Sequence, residues 1–163
     1  MANAAELIKA DHSKVEQLYQ SYQTGNGLVP HRQTTAREIC QELALHAQLE
    51  EEIFYPAVER TLGAAGATLV TEVRKEHTEM KRAISKLQAI EFTGPECDRL
   101  FQEMMSGVQH HVQEEEGELL PKAQHQLGGE LERLGTQMQQ RKQELRHTKL
   151  RPGSQEREAR RNN

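Results

Sequence analysis

The chain is predicted to be all-α: an up-down-up-down antiparallel four-helix bundle built from a duplicated helical hairpin, with an extra C-terminal helix and a disordered basic tail. Three observations lead there. Apolar residues recur at steps of three and four along four long segments, the period of an amphipathic helix. Glycine and proline gather between those segments and punctuate them. His12 recurs as His77, His46 as His111, Glu50 as Glu115 and Pro56 as Pro121, each pair 65 positions apart. Helices joined by short loops pack antiparallel to their neighbours. The repeat therefore makes the first and third helices equivalent, and the second and fourth, about a pseudo-two-fold axis along the bundle.

The first helix is expected from Ala4 to Thr24 on the stripe Ile8, His12, Val15, Tyr19 and Tyr22, closed by Gly25-Asn26-Gly27 with Pro30 beyond. The second runs from about Gln33 to Leu62, inward through Cys40, Leu43, His46, Glu50 and Phe54, and is broken by Gly63-Ala64-Ala65-Gly66. The third runs from about Ala67 to Glu91 with Val70, Val73, His77, Met80 and Ile84 inward, before Thr93-Gly94-Pro95. The fourth runs from about Pro95 to Leu127 along Phe101, Met104, Val108, His111, Glu115 and Leu119. Pro56 and Pro121 should kink their helices or open the last turn, because proline lacks the amide proton and clashes with the preceding turn. After Gly128-Gly129, Glu130 to His147 suits a fifth helix on Leu131, Leu134 and Met138. From Thr148 the Arg-rich polar sequence predicts disorder. Residues 1–127 are thus expected to form the bundle, and 128–163 the C-terminal helix and tail.

Composition agrees. The 163 residues are 35% hydrophobic but only 4% aromatic, with no Trp, which disfavours a sheet protein. A net charge of −4 gives no global field that would attract nucleic acid. Cys40 and Cys97 stand at no metal-ligand spacing and read as reduced thiols. The start Met-Ala-Asn-Ala-Ala-Glu has no basic, apolar leader, and no apolar run spans a bilayer. A cytoplasmic protein with no membrane partner is expected.

The repeated His and Glu residues carry the chemistry. All six lie on the apolar stripes: His12 between Ile8 and Val15, His77 between Val73 and Met80, and each Glu one turn beyond His46 or His111. An inward carboxylate is costly unless it is paired or bound to a cation. On an antiparallel bundle, duplication brings four imidazoles and two carboxylates round one axis. Two metals sharing two bridging carboxylates fit this set better than one. Mixed imidazole and carboxylate donors suit iron, manganese or zinc, and two-fold carboxylate sharing points to iron. A ferritin-like site is disfavoured, since that design needs Glu-x-x-His at inward positions and none is present.

Asp11-His12, His46-x-x-x-Glu50-Glu51 with Pro56 ten residues after the His, Glu76-His77, and His111-x-x-x-Glu115 together resemble the hemerythrin-like, or HHE cation-binding, family over about residues 5 to 125. The resemblance implies a four-helix bundle with two non-haem iron ions under an oxo or hydroxo bridge. It implies His12, His46, His77 and His111 as terminal ligands and Glu50 and Glu115 as bridges. One position departs. Oxygen-carrying hemerythrins place a fifth His one turn before the third-helix His, where this chain has Val73. His31 cannot substitute, being roughly 20 Å along the axis from His46. Glu16 and His110 are candidate extra ligands, and Tyr19 is a candidate hydrogen-bond donor to a bound oxygen species. Asp11 and Glu76 are candidate partners of neighbouring imidazoles.

The expected activity is binding of, or reaction with, dioxygen, peroxide or nitric oxide. The alternatives are catalase-like peroxide disproportionation and iron or oxygen sensing without catalysis. An apolar pocket lined by Val15, Leu43, Met80, Val108 and Val112 favours a small ligand over a bulky organic one. The redox partner is not specified by the sequence.

Overall fold

The computed structural model describes residues 2–25 and 29–150. Its helices are α1 (Ala4–Thr24), α2 (Val29–Leu49), α3 (Tyr55–Ala89), α4 (Cys97–Glu114), α5 (Leu120–Leu127) and α6 (Glu130–Leu150). Single π-helical turns, Glu50–Phe54 and Glu115–Leu119, join α2 to α3 and α4 to α5. The first rod of the bundle is α1. The second is α2, its π turn and the start of α3. The rest of α3 is the third rod, and α4 through α5 is the fourth.

Local chemistry sets the ends. Asn3 caps α1, its side chain accepting from the Glu6 amide at 3.1 Å while Glu6 accepts from the Asn3 amide at 2.9 Å. This reciprocal box satisfies two amides that have no partner within the helix. α2 begins at Val29 rather than Gln33, with Pro30 in its first turn, where the missing amide proton costs nothing. Of the expected Gly63–Gly66 break only Gly63 leaves the helix, at φ 62° and ψ −139°. Gly66 stays helical and buried against Val58 and Leu62. The chain reverses there: Glu51 meets His77 and Glu59 meets Arg74, an antiparallel pairing. α3 ends at Ala89, and Glu91 and Phe92 then adopt positive φ. Arg37 holds this corner by donating to the Glu91 carbonyl at 2.8 Å. The sequence signals at Asn26 and Gly27, and the tail from residue 151, lie outside the described residues.

The two π turns replace the simple proline kinks. Pro56 and Pro121 follow them directly. In each turn the ring is accommodated by one wider loop of backbone, closed by Tyr55 N–H to the Glu50 carbonyl and by Leu120 N–H to the Glu115 carbonyl. In an α-helix, residue 55 would sit about 140° round from residue 50. A π turn closes on the fifth residue instead and brings it onto the same face.

The core has two parts. One packs Ile8, Leu49, Phe54, Val73, Leu119 and Leu134. The other packs Val15, Tyr19, Ile39, Leu87, Phe101 and Met105. The repeated His and Glu residues lie between them. α6 belongs to the first part, burying Leu131, Leu134 and Met138 against the start of α1. Gly135 permits that approach, since a Cβ there would lie 2.5 Å from the Ala2 carbonyl oxygen.

Gly63→Ala forces a methyl group into a backbone region nearly restricted to glycine, and should cost about 1–3 kcal/mol. Gly107→Ala, exposed within α4 with open space around its Cβ position, should instead stabilise by up to about 1 kcal/mol. Urea unfolding of the two variants beside the parent chain measures both.

Candidate metal centre

Each rod supplies one imidazole, and the second and fourth rods each add a carboxylate. His77 is 1% exposed, and Glu50 and Glu115 are fully buried; His12, His46 and His111 are also buried. The rings form a closed circuit with alternating gaps. Centroids of His12 and His46 are 4.8 Å apart, and those of His77 and His111 4.7 Å. His46 to His77 is 6.4 Å and His111 to His12 is 6.2 Å.

Every ring is held from outside by a carboxylate on its Nδ1. Asp11 faces His46 at 3.5 Å, Glu51 faces His77 at 3.0 Å, Glu76 faces His111 at 2.7 Å and Glu116 faces His12 at 2.8 Å. The first rod thus braces the second, the second the third, the third the fourth, and the fourth the first. These anchors obey the same 65-residue interval: Asp11 with Glu76, and Glu51 with Glu116. Asp11 and Glu76 were candidates from the sequence. Glu51 and Glu116 were not, although each directly follows a repeated Glu.

Carboxylates on Nδ1 occupy the outer nitrogen of each ring, so Nε2 is the nitrogen that faces inward. The inner atoms converge. Glu50 reaches His46 with Oε1 at 3.2 Å and His77 with Oε2 at 3.2 Å, spanning the two ring pairs. Glu115 turns Oε2 toward both His12 and His111 at 3.3 Å. The Nε2 atoms of His77 and His111 face each other at 3.3 Å. His12 Nε2, His46 Nε2, Glu50 Oε1 and Glu115 Oε2 are buried without a hydrogen-bond partner. Buried polar atoms left without a hydrogen bond are costly, and a cation among them removes the cost. Two groups of donor atoms close enough to share an ion result: His12, His46, His111 and Glu115, and Glu50, His77 and His111. The residues fit a bound metal.

Tyr55, which helical periodicity turns away from the site, joins them. Its hydroxyl lies 2.9 Å from Glu50 Oε2, 2.9 Å from Glu115 Oε1 and 3.3 Å from His77 Nε2. Burial, with both carboxylates beside it, raises the phenol well above its ordinary range. The π turn places it there. Its repeat partner is Leu120, so the phenol is the main break in the two-fold symmetry.

Other candidates fall outside. Tyr19 packs its ring on Tyr22 and Phe101, and Val73 is buried in the apolar core. Glu16 is exposed, with Gln20 3.5 Å away. His31 faces Ser21 at 3.4 Å. His110 pairs on the surface with Glu114 at 3.2 Å. A cleft of about 940 Å³, lined chiefly by α1, α3 and α4 with Leu43 and His46 from α2, opens onto the rings, and all five expected residues line it. It is far larger than a diatomic ligand requires.

A helical bundle whose buried imidazoles and carboxylates surround one axis defines a metal-binding bundle protein. The family model for the hemerythrin HHE cation binding domain matches residues 3–123, and the chain belongs to that family. It is 33% identical over 129 residues to a DNA nickase of Nostoc sp., covering 78% of this chain and 35% of the nickase. It is 29% identical over 133 residues to an uncharacterised hemerythrin-like protein of Schizosaccharomyces pombe, covering 80% and 64%. The chain therefore spans about a third and just under two thirds of those relatives. A solved hemerythrin HHE cation binding domain-containing protein of Mycobacterium kansasii shares the fold, with TM-score 0.77, 24% identity, and coverage of 91% of this chain and 90% of that one. Among the described residues, no helix is long and apolar enough to cross a membrane.

The charge balance gives a testable consequence. Burial disfavours the charged form of His111, but Glu115 and Glu76 outweigh it and push the imidazole up to about 10. Burial likewise favours a neutral Glu115, yet His111 and His12 hold it well below the usual carboxylate range. Without metal, His111 is therefore protonated at neutral pH, and ligation must expel that proton. Zinc added to metal-free protein at pH 7.5 in weak buffer should acidify the solution, as read by an indicator dye. Affinity should fall as pH is lowered.

Proposed function

We propose that this chain is a non-haem di-iron protein that binds or reacts with a small oxygen species: dioxygen, peroxide or nitric oxide. In this reading His12, His46, His77 and His111 are terminal ligands, and Glu50 and Glu115 bridge the pair. The observation that carries it is the convergence of four Nε2 atoms and two buried carboxylates, with atoms lacking a hydrogen bond among them. The alternating ring distances support two ions, one between His12 and His46 and one between His77 and His111. A mixed donor set of this kind suits iron, which when bound supplies redox change and open coordination positions.

The chain's own residues supply the rest. The Nδ1 carboxylates keep the rings aimed and raise their basicity. The cleft admits ligand from solvent past Val15, Met80 and Val108. The Tyr55 hydroxyl holds its one proton within donating reach of both buried carboxylates. A buried phenol, together with Val73 in place of an extra imidazole, favours chemistry on the ligand over simple reversible carriage.

Iron-loaded protein should hold two irons per chain by elemental analysis. His77→Ala and Glu115→Ala should each lose at least one iron and the near-ultraviolet charge-transfer absorption, while His31→Ala changes neither. Full iron content in either site variant would contradict the ligand assignment. Oxygen release from hydrogen peroxide, above an equal amount of free iron and diminished in Tyr55→Phe, is the result expected for a peroxide-disproportionating enzyme. No release, with a stable oxygen-bound spectrum, would make the chain a binding or sensing module.

A further inference from the structure

The four Nδ1 anchors are alike in position but not in charge. Lys142 on α6 donates to Asp11, which faces His46. Lys81 donates to both oxygens of Glu51, at 2.8 and 2.7 Å, and Glu51 faces His77. Among the described residues, neither Glu76 nor Glu116, which face His111 and His12, has a lysine or arginine in ion-pair reach; Glu76 has His110 at 3.6 Å. The two ammonium-capped carboxylates thus belong to the two imidazoles that flank Glu50. The uncapped ones belong to the imidazoles that flank Glu115.

Lys142 differs again from Lys81. It stands on α6, outside residues 3–123 matched by the family model, and has no place in the duplicated hairpin. The helix that carries it is locked in place. Leu131, Leu134 and Met138 are buried in the core, Arg141 donates to Glu52 at 2.8 Å, and Arg146 donates to Glu42 at 3.2 Å. The Lys142 side chain is 24% exposed and that of Asp11 16%, so the pair is only partly screened by water.

We infer that Lys142 is a positioning residue through which the last helix tunes the metal centre: by drawing charge from Asp11, it limits how strongly His46 donates to a bound metal. A carboxylate freed of its ammonium pulls harder on the Nδ1 proton and makes Nε2 a stronger donor. A stronger donor favours the oxidised metal and lowers its midpoint potential. Lys81 acts the same way on His77 from within the bundle. Glu76, the repeat counterpart of Asp11, has no such lysine among the described residues, so α6 breaks the sequence symmetry at that anchor.

The inference rests on the proposed iron centre, and its test separates the two. Iron content and midpoint potential are measured on the full iron-loaded chain for Lys142→Met, Lys142→Arg and Lys122→Met, the last an exposed lysine paired only with Glu118. The expected result is parental iron content in all three, a lowered potential in Lys142→Met, recovery in Lys142→Arg, and no change in Lys122→Met. A second variant, Lys81→Met, should shift the potential in the same direction if Lys142→Met folds poorly. An unchanged potential at full iron content in both methionine variants would overturn the inference and leave the iron reading standing. Absence of iron from the parent chain would overturn both.

Discussion

Two fully buried carboxylates beside four buried imidazoles are the constraint on which the rest of the molecule depends. Each unpaired buried charge costs several kcal/mol, so Glu50 and Glu115 are tolerable only with positive charge close by. The imidazoles provide it when protonated, and a metal provides it when bound. The outer ring of Asp11, Glu51, Glu76 and Glu116 makes the arrangement directional. It fixes each ring from the adjacent rod, so displacing one rod would unseat the next rod's ligand. Bundle packing and site geometry are therefore one problem, solved by the same contacts.

The π turns show how backbone serves this arrangement. Each begins at a buried Glu and ends just before a leucine or tyrosine followed by proline. The extra residue widens the helix where the carboxylate must project, and it swings the fifth residue onto the same face. In the first copy that residue is Tyr55; in the second it is Leu120. One local device, used twice, gives a phenol in one half and an apolar wall in the other. Lys142 on Asp11 and Lys81 on Glu51, with no lysine on Glu76 or Glu116 among the described residues, break the two-fold symmetry further.

Much of this was legible in the sequence. The helical period and the 65-residue echo specified the bundle, and the position of His12, His46, His77, His111, Glu50 and Glu115 on apolar stripes brought the same six together. Tyr55 was not legible, because an α-helical wheel turns it away from Glu50 and only the π turn restores it. The Glu51 and Glu116 anchors were hidden for a related reason: on a wheel they face solvent, and it is the adjacent rod's imidazole that gives them a partner. Tyr19, inward by periodicity, lies in the apolar core, since a shared stripe does not fix height along the axis. The apolar residues expected above the rings do line the cleft, but its width depends on rod spacing, which periodicity does not encode.

A two-iron centre at these residues is tested by anomalous diffraction at the iron absorption edge from crystals of the iron-loaded chain. Two peaks are expected inside the ring of imidazoles, one nearer His12 and His46 and one nearer His77 and His111, with Glu50 between them. A single central peak, or iron only at the surface group of Glu76, His110 and Glu114, would contradict it.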